Sequence, residues 1–401
     1  MIFRRYFLFA QLGKHWWVTL LLWIAMFNPN LAAALEMRVA IEREVKQVQV
    51  GSSSAATVKN AAGETLGELK AMSGFVAQPQ DSTVALSKWQ ASQIWIEPAD
   101  NGLVWIGDRW YRGRVLLVPS EEGLTAVNYV DIEHYLYSVL GGEMPASWPL
   151  EALKAQAVSA RSYALYRRER TANTIYDVGN TTTWQVYKGV EDEYLSTQQA
   201  VNATAGQVLI HDGKIIEAVF HSSSGGHTEN VEDIWTAPLP YLRAVPDFDQ
   251  KAPVYEWKKT FSSEQLSSLI SGIGKILSLT PERTTPHGRI ITMKVIGDEG
   301  SKVVTGKELR KLLNLKSTLF TISPLYEGRD REVLVEDATE EKNIEEAESP
   351  PSSFQVVGRG FGHGLGMSQY GANALARRGY NYQQILLHYY TKTSLARIQV
   401  E

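Results

Sequence analysis

The sequence predicts an α+β fold, and three observations carry that prediction. Short apolar or alternating runs recur through the first third of the chain, at 38–41, 48–50, 94–96, 103–106 and 114–118, the pattern of short strands. One helix of unusually small residues follows Pro149 and carries Ala152, Ala155, Ala157, Ala160 and Ala164. Near the C-terminus, a run from 358 to 372 packs glycines around His363 and reads as a loop whose backbone approaches a ligand or another strand closely.

The chain has 401 residues, 44% hydrophobic and 21% charged, the balance of a globular protein with one large or two ordinary domains. A net charge of −4 argues against nucleic acid as a partner. Eleven Trp and eighteen Tyr serve either as core filling or as platforms for sugars. With no Cys in the chain, disulfides and thiolate zinc sites are excluded.

The N-terminus predicts export. Arg4, Arg5 and Lys14 precede an apolar run at 16–27, and Ala32-Ala33-Ala34 offers a small-x-small cleavage site, so 1–34 reads as a signal peptide. An uncleaved membrane anchor is the alternative, because Asn28-Pro29-Asn30 separates the apolar run from the alanines. Residues 35–120 then form a β-rich region, with turns at Ala62-Gly63-Glu64 and Gly107-Asp108. Residues 121–401 form the main domain.

That domain opens with a strand at 124–130 and a short helix at 132–140. Glu143 follows Gly141-Gly142 and precedes Met144-Pro145, which predicts a turn. Pro149 suits a first helical position and Glu151 the first turn. Small neighbours suggest that Gln156 and Arg161 are held inside the fold. The basic tail 167–170 reads as a solvated helix end. A polar, aromatic loop occupies 177–189, a helix 197–204, and a hairpin 207–220 turns at Asp212-Gly213. Further on come a strand and a helix opened by Ser262-Ser263-Glu264-Gln265, strands at 289–296 and 318–322, and a helix at 306–313. The acidic stretch 335–352 cannot bury a core and reads as a mobile insert.

Two stretches carry chemistry besides Glu143. Apolar neighbours Met144 and Trp148 favour a protonated Glu143, as a general acid requires; the alternative is a surface or capping Glu. The loop His221-Ser222-Ser223-Ser224-Gly225-Gly226-His227 can present backbone N–H groups to an anion or a sugar acetamide. No oxyanion-hole motif accompanies its serines, which argues against a Ser nucleophile. Two histidines six apart without a third ligand are a weak zinc signal. The 358–372 glycine run fits neither nucleotide-binding pattern.

The runs Val130-Asp131-Ile132-Glu133-His134-Tyr135-Leu136, Gly142-Glu143-Met144-Pro145 and 151–163, with 183–189 and 358–391, resemble the SpoIID/LytB family (stage II sporulation protein D-like), which acts on bacterial cell-wall glycan. The resemblance covers roughly residue 39 to the C-terminus. It implies Glu143 as the catalytic residue of a lytic transglycosylase, exported to the periplasm or cell wall and acting on peptide-stripped peptidoglycan strands. It places Gln156, Arg161, Gln185, Ser222, Ser224, Gly225, His227, His363, Gln369 and Tyr370 at the substrate. Gln185 is either such a contact or a brace for its loop. His363 either orients Glu143, contacts sugar or braces the glycines. No cofactor is expected; some members bind zinc through Cys and His, and this chain lacks the Cys. A cell-wall amidase is the implied partner, and the LytB side supplies a second reading, a non-catalytic amidase activator.

Overall fold

The computed structural model describes residues 35–171, 174–235, 237–326 and 350–398. The segment 1–34, predicted as a signal peptide, and the predicted acidic insert as far as residue 349 lie outside these residues. The fold is α+β. Among the described residues, no helix is long and apolar enough to cross a membrane.

The first region builds two sheets, antiparallel except where Val178–Gly179 joins Glu36–Val45 in parallel. A seven-stranded sheet places Glu36–Val45 beside Gly123–Asp131, then Arg114–Ser120, Ile94–Pro98 and Ala56–Lys59, with Thr65–Leu69 at one edge and the short Val178–Gly179 at the other. A six-stranded sheet contains Val48–Ser52 and Ser73–Gln80. Alternation directs Val39, Val50, Val58, Ile94 and Ile96 inward. These side chains share one continuous core with the helices that follow. Because Glu36 pairs with Asp131, the strand leading into the Glu143 helix lies in this sheet.

The Leu150–Arg170 helix runs through the middle of the protein, with every residue from Ala152 to Leu165 except Lys154 buried. A helix buried on all sides has no polar face. Its alanines let the Ile132–Glu143, Leu195–Ala203, Gln369–Arg377 and Tyr382–Tyr389 helices pack against it. Pro149 is the N-cap, one position earlier than predicted.

Residues 257–356 have a separate core built from Trp257, Leu266, Ile290, Val295, Leu309 and Val356. Two three-stranded sheets and the helices Ser263–Leu269 and Gly306–Leu312 enclose it. Ser262 and Thr305 close capping boxes with Gln265 and Glu308, so the Ser262 signature is a true helix start.

The hairpin turns where predicted, with Asp212 and Gly213 both at positive φ. Its second strand is only Lys214–Ile215. The chain then leaves to pair Phe220 and His221 in parallel with Met367 and Ser368. A bridge between Ser223 and Phe361 extends this contact, bringing the serine loop against the glycine run. A Cβ on Gly362 would come 2.7 Å from that of His221, and one on Gly364 would land on the Arg289 guanidinium. The glycines therefore serve close packing against another strand, one of the two readings of that run.

Candidate active site

Glu143 is the last residue of the Ile132–Glu143 helix, not part of a turn. Proline disfavours helical backbone in the residue before it; Met144 is accordingly extended, at φ −133° and ψ 143°. The helix stops there and Glu143 is left at its end. A Cβ on Gly141 would collide with the Asp192 carbonyl, and one on Gly142 would come 2.9 Å from the Val186 side chain. The glycine pair thus admits the 186–192 segment against the helix. That approach puts the Val186 N–H on Glu143 Oε1 at 3.0 Å. Gln369 Nε2, at the start of its own helix, donates to Oε2 at 3.2 Å. Burial raises the Glu143 pKa, while these two donors oppose the rise. A carboxylate at a helix C-terminus also meets the negative end of the dipole, which favours the neutral acid.

Glu143 opens into a cleft of about 490 Å³. Tyr163, Thr183, Trp184, Trp235 and Phe361 supply hydroxyl and aromatic surface there, and Trp235 and Phe361 are exposed. Among the described residues lining this cleft, Glu143 is the only carboxylate. Its cations are Arg167 and Arg310. His221 and His363 stand with ring centres 5.3 Å apart and are held neutral. Burial and the Arg289 charge lower the His221 pKa to about 3. Burial followed by the His221 and arginine charges holds His363 well below its ordinary value.

Of the residues predicted at the substrate, the cleft takes in Glu143, Ser222, His363 and Gln369. The others lie elsewhere, each for a physical reason. Arg161 is fully buried and clamps Glu133, with Nε to Oε1 at 2.9 Å and Nη2 to Oε2 at 2.5 Å, while Nη1 donates to the Gln207 carbonyl at 3.0 Å. Gln185 is the brace: it accepts from the Tyr135 hydroxyl at 3.1 Å and donates to the Ala160 carbonyl at 3.3 Å. Gln156 is fully buried and lines no part of the cleft; its amide has no partner among the described residues. Tyr370 packs edge-on against Trp148 at 4.9 Å.

The serine loop is consumed by carboxylates behind the cleft. Ser223 donates to Asp249 and Ser224 to Asp247, both at 2.5 Å, and the Gly225 N–H donates to Asp249 at 2.8 Å. Ser224 and Gly225 therefore have no free donor for a ligand. Burial, then the Asp247 charge, raises the Asp249 pKa. His227 stacks on His287 at 3.7 Å instead of meeting His221. Among the described residues no three His, Asp or Glu side chains converge as a metal site. His363 Nδ1 accepts the Leu365 N–H at 3.0 Å, bracing the loop; it is Gln369 that orients Glu143.

Among the cleft residues that were not anticipated are both of its arginines. Arg167, read as part of a solvated tail, lines the cleft and pairs with Glu217 at 3.3 Å. Arg310 arrives from the separate core, 167 positions after Glu143 (310 − 143). No local signal marks it. A second hollow of about 360 Å³ lies between Glu36, Glu97, Arg112 and Arg114, but its arginines are already paired with Glu193, Glu36 and Glu97.

Residues 120–211 match the family model described as stage II sporulation protein, and residues 185–366 match a domain of unknown function. Stage II sporulation protein D of Bacillus subtilis is 31% identical over 293 residues, covering 68% of this chain and 76% of that protein. The chain belongs to the SpoIID family. An uncharacterised protein of Brachyspira hyodysenteriae is 31% identical across 70% of each chain. A Bacillus subtilis protein named amidase enhancer is 33% identical over 65% of this chain and 40% of its own length. The SpoIID match spans both the Glu143 helix and the central helix that supports it.

Proposed function

We propose that this SpoIID-family protein is an exported lytic transglycosylase that cleaves the β-1,4 bond between N-acetylmuramic acid and N-acetylglucosamine in peptide-stripped peptidoglycan. The observation that carries this reading is a single carboxylate, Glu143, among the described residues of a cleft rich in aromatic and hydroxyl surface. Hydrolytic glycosidases need a second carboxylate to activate water or to attack the sugar. A lytic enzyme needs one. Protonated Glu143 gives its proton to the leaving glycosidic oxygen. The resulting carboxylate takes the proton of the muramyl 6-hydroxyl, whose oxygen attacks the anomeric carbon. The product is a 1,6-anhydro sugar, no water is consumed, and Glu143 ends protonated. Burial, which raises the Glu143 pKa and so favours the protonated acid, suits the first step.

Mass spectrometry of products from residues 35–401 with peptide-free strands tests the reading. Anhydro-muramic ends from the parent and none from Glu143→Gln are expected; reducing ends would overturn it. The relative named amidase enhancer supports a second reading, a glycan-binding activator of a cell-wall amidase. In that case the parent forms no product, and stimulation of an added amidase survives Glu143→Gln.

A further inference from the structure

Arg310 stands out among the arginines near the cleft by its lack of a counter-charge. Arg167 pairs with Glu217, Arg289 with Glu229 and Arg359 with Glu256. Arg310 has no carboxylate partner among the described residues, and its Nε donates only to the Leu315 carbonyl, at 3.4 Å. The side chain is half-buried, and burial alone shifts its pKa, downward. It faces the cavity that holds Glu143, beside His363 and Phe361. Neither imidazole can offset its charge, because a histidine is either neutral or positive, and the Arg289 guanidinium repels it. A half-desolvated guanidinium without a partner is costly in the free protein and gains most from a ligand that brings the anion.

We infer that Arg310 is a specificity-determining residue that binds the lactyl carboxylate of a muramyl sugar. This rests on the glycan-cleft reading above. The guanidinium presents two parallel N–H donors that match a carboxylate and fit an amide poorly. A stem peptide converts the lactyl carboxylate into a neutral amide and removes the matching charge. Arg310 thereby lets the protein distinguish stripped strands from peptide-bearing ones. The Gly306–Leu312 helix that carries it is fixed by the Thr305 capping box and by buried Leu309, so the guanidinium is presented from an ordered element.

The test is calorimetric binding at low salt, using the Glu143→Gln protein so that strands stay intact. Two probes are compared: peptide-free glycan strands, and the same strands with their lactyl carboxylates methyl-esterified. Free-acid strands are expected to bind about ten- to a hundred-fold more tightly than esterified ones. Adding Arg310→Gln should abolish that ratio without weakening ester binding, and Arg310→Lys should keep part of it. A ratio near one in the Glu143→Gln protein, or a ratio that survives Arg310→Gln, overturns the assignment while leaving the glycan reading intact. Failure of both strand types to bind overturns both. Because each arm is a ratio within one variant, a change in folded fraction does not imitate the result.

Discussion

Two groups of carboxylates differ in what surrounds them. Asp247 and Asp249 sit behind the cleft among many donors: Ser223, Ser224, the Gly225 N–H and the Tyr389 hydroxyl all donate to the pair, and Asp249 Oδ1 alone has no partner among the described residues. Glu143 receives one backbone N–H and one side-chain amide and otherwise opens into the cleft. Several donors within the fold hold the aspartate pair in place, whereas Glu143, with two donors and an opening to the cleft, can exchange a proton with a ligand. The serine-histidine loop, which is rich in reactive residue types, is the scaffold. The glutamate among glycines and a proline is the candidate reactive group.

The sharpest way to break this comparison is to neutralise each side in turn. Glu143→Gln should lower the turnover rate by about 10²–10⁴-fold, the usual contribution of a general acid-base, with the melting temperature nearly unchanged. An equal rate loss from a scaffold substitution, with the protein still folded, would erase the distinction. Glu133→Gln is expected to act on the fold: it leaves the Arg161 guanidinium buried with half its partner, costing about 3 kcal/mol in urea unfolding. The rate per folded molecule should stay as in the parent.

Ser224→Ala removes one of the donors to Asp247. A loss of about 1–3 kcal/mol in the same unfolding measurement, with KM unchanged, is expected; a raised KM would return the serine to the substrate side. The smallest effect concerns pH. Gln369 lowers the Glu143 pKa by donating to its carboxylate form. Gln369→Leu removes that donor, so the pKa rises further. The reaction needs the protonated acid, so the rate falls as pH climbs through this pKa. The alkaline limb of the rate profile should therefore move to higher pH, by about one unit or less; movement to lower pH would mean that Gln369 does not serve the ionised form.

Much was legible locally. Apolar or alternating runs marked strands such as Glu36–Val45, Ile94–Pro98 and Arg114–Ser120, Asp212-Gly213 marked the hairpin turn, and Ser262 with Gln265 marked a capped helix. These features depend on residues a few positions apart. The alanines of the Leu150–Arg170 helix also announced that neighbours would crowd it and that Gln156 and Arg161 would be interior. What the alanines could not reveal was the direction in which those polar groups pointed. Arg161 turned to Glu133, and Gln185 to Tyr135 and Ala160, because partner choice depends on which surfaces meet in space.

By itself the sequence determined the α+β class and, through the resemblance of its motifs, the family; it marked Glu143 as the candidate but placed it in a turn and not at the end of a helix. The class follows from hydrophobic period and the family from runs of neighbouring residues, both of which are read within short stretches of chain. Tertiary structure alone decided that Phe220–His221 would pair with Met367–Ser368. It decided that Asp247 and Asp249 would take up the serine hydroxyls, and that Arg310 would reach the Glu143 cleft from a separately built core. Those contacts join residues far apart in the chain, and electrostatic satisfaction of a side chain is a property of the assembled neighbourhood, not of the residues next to it in sequence.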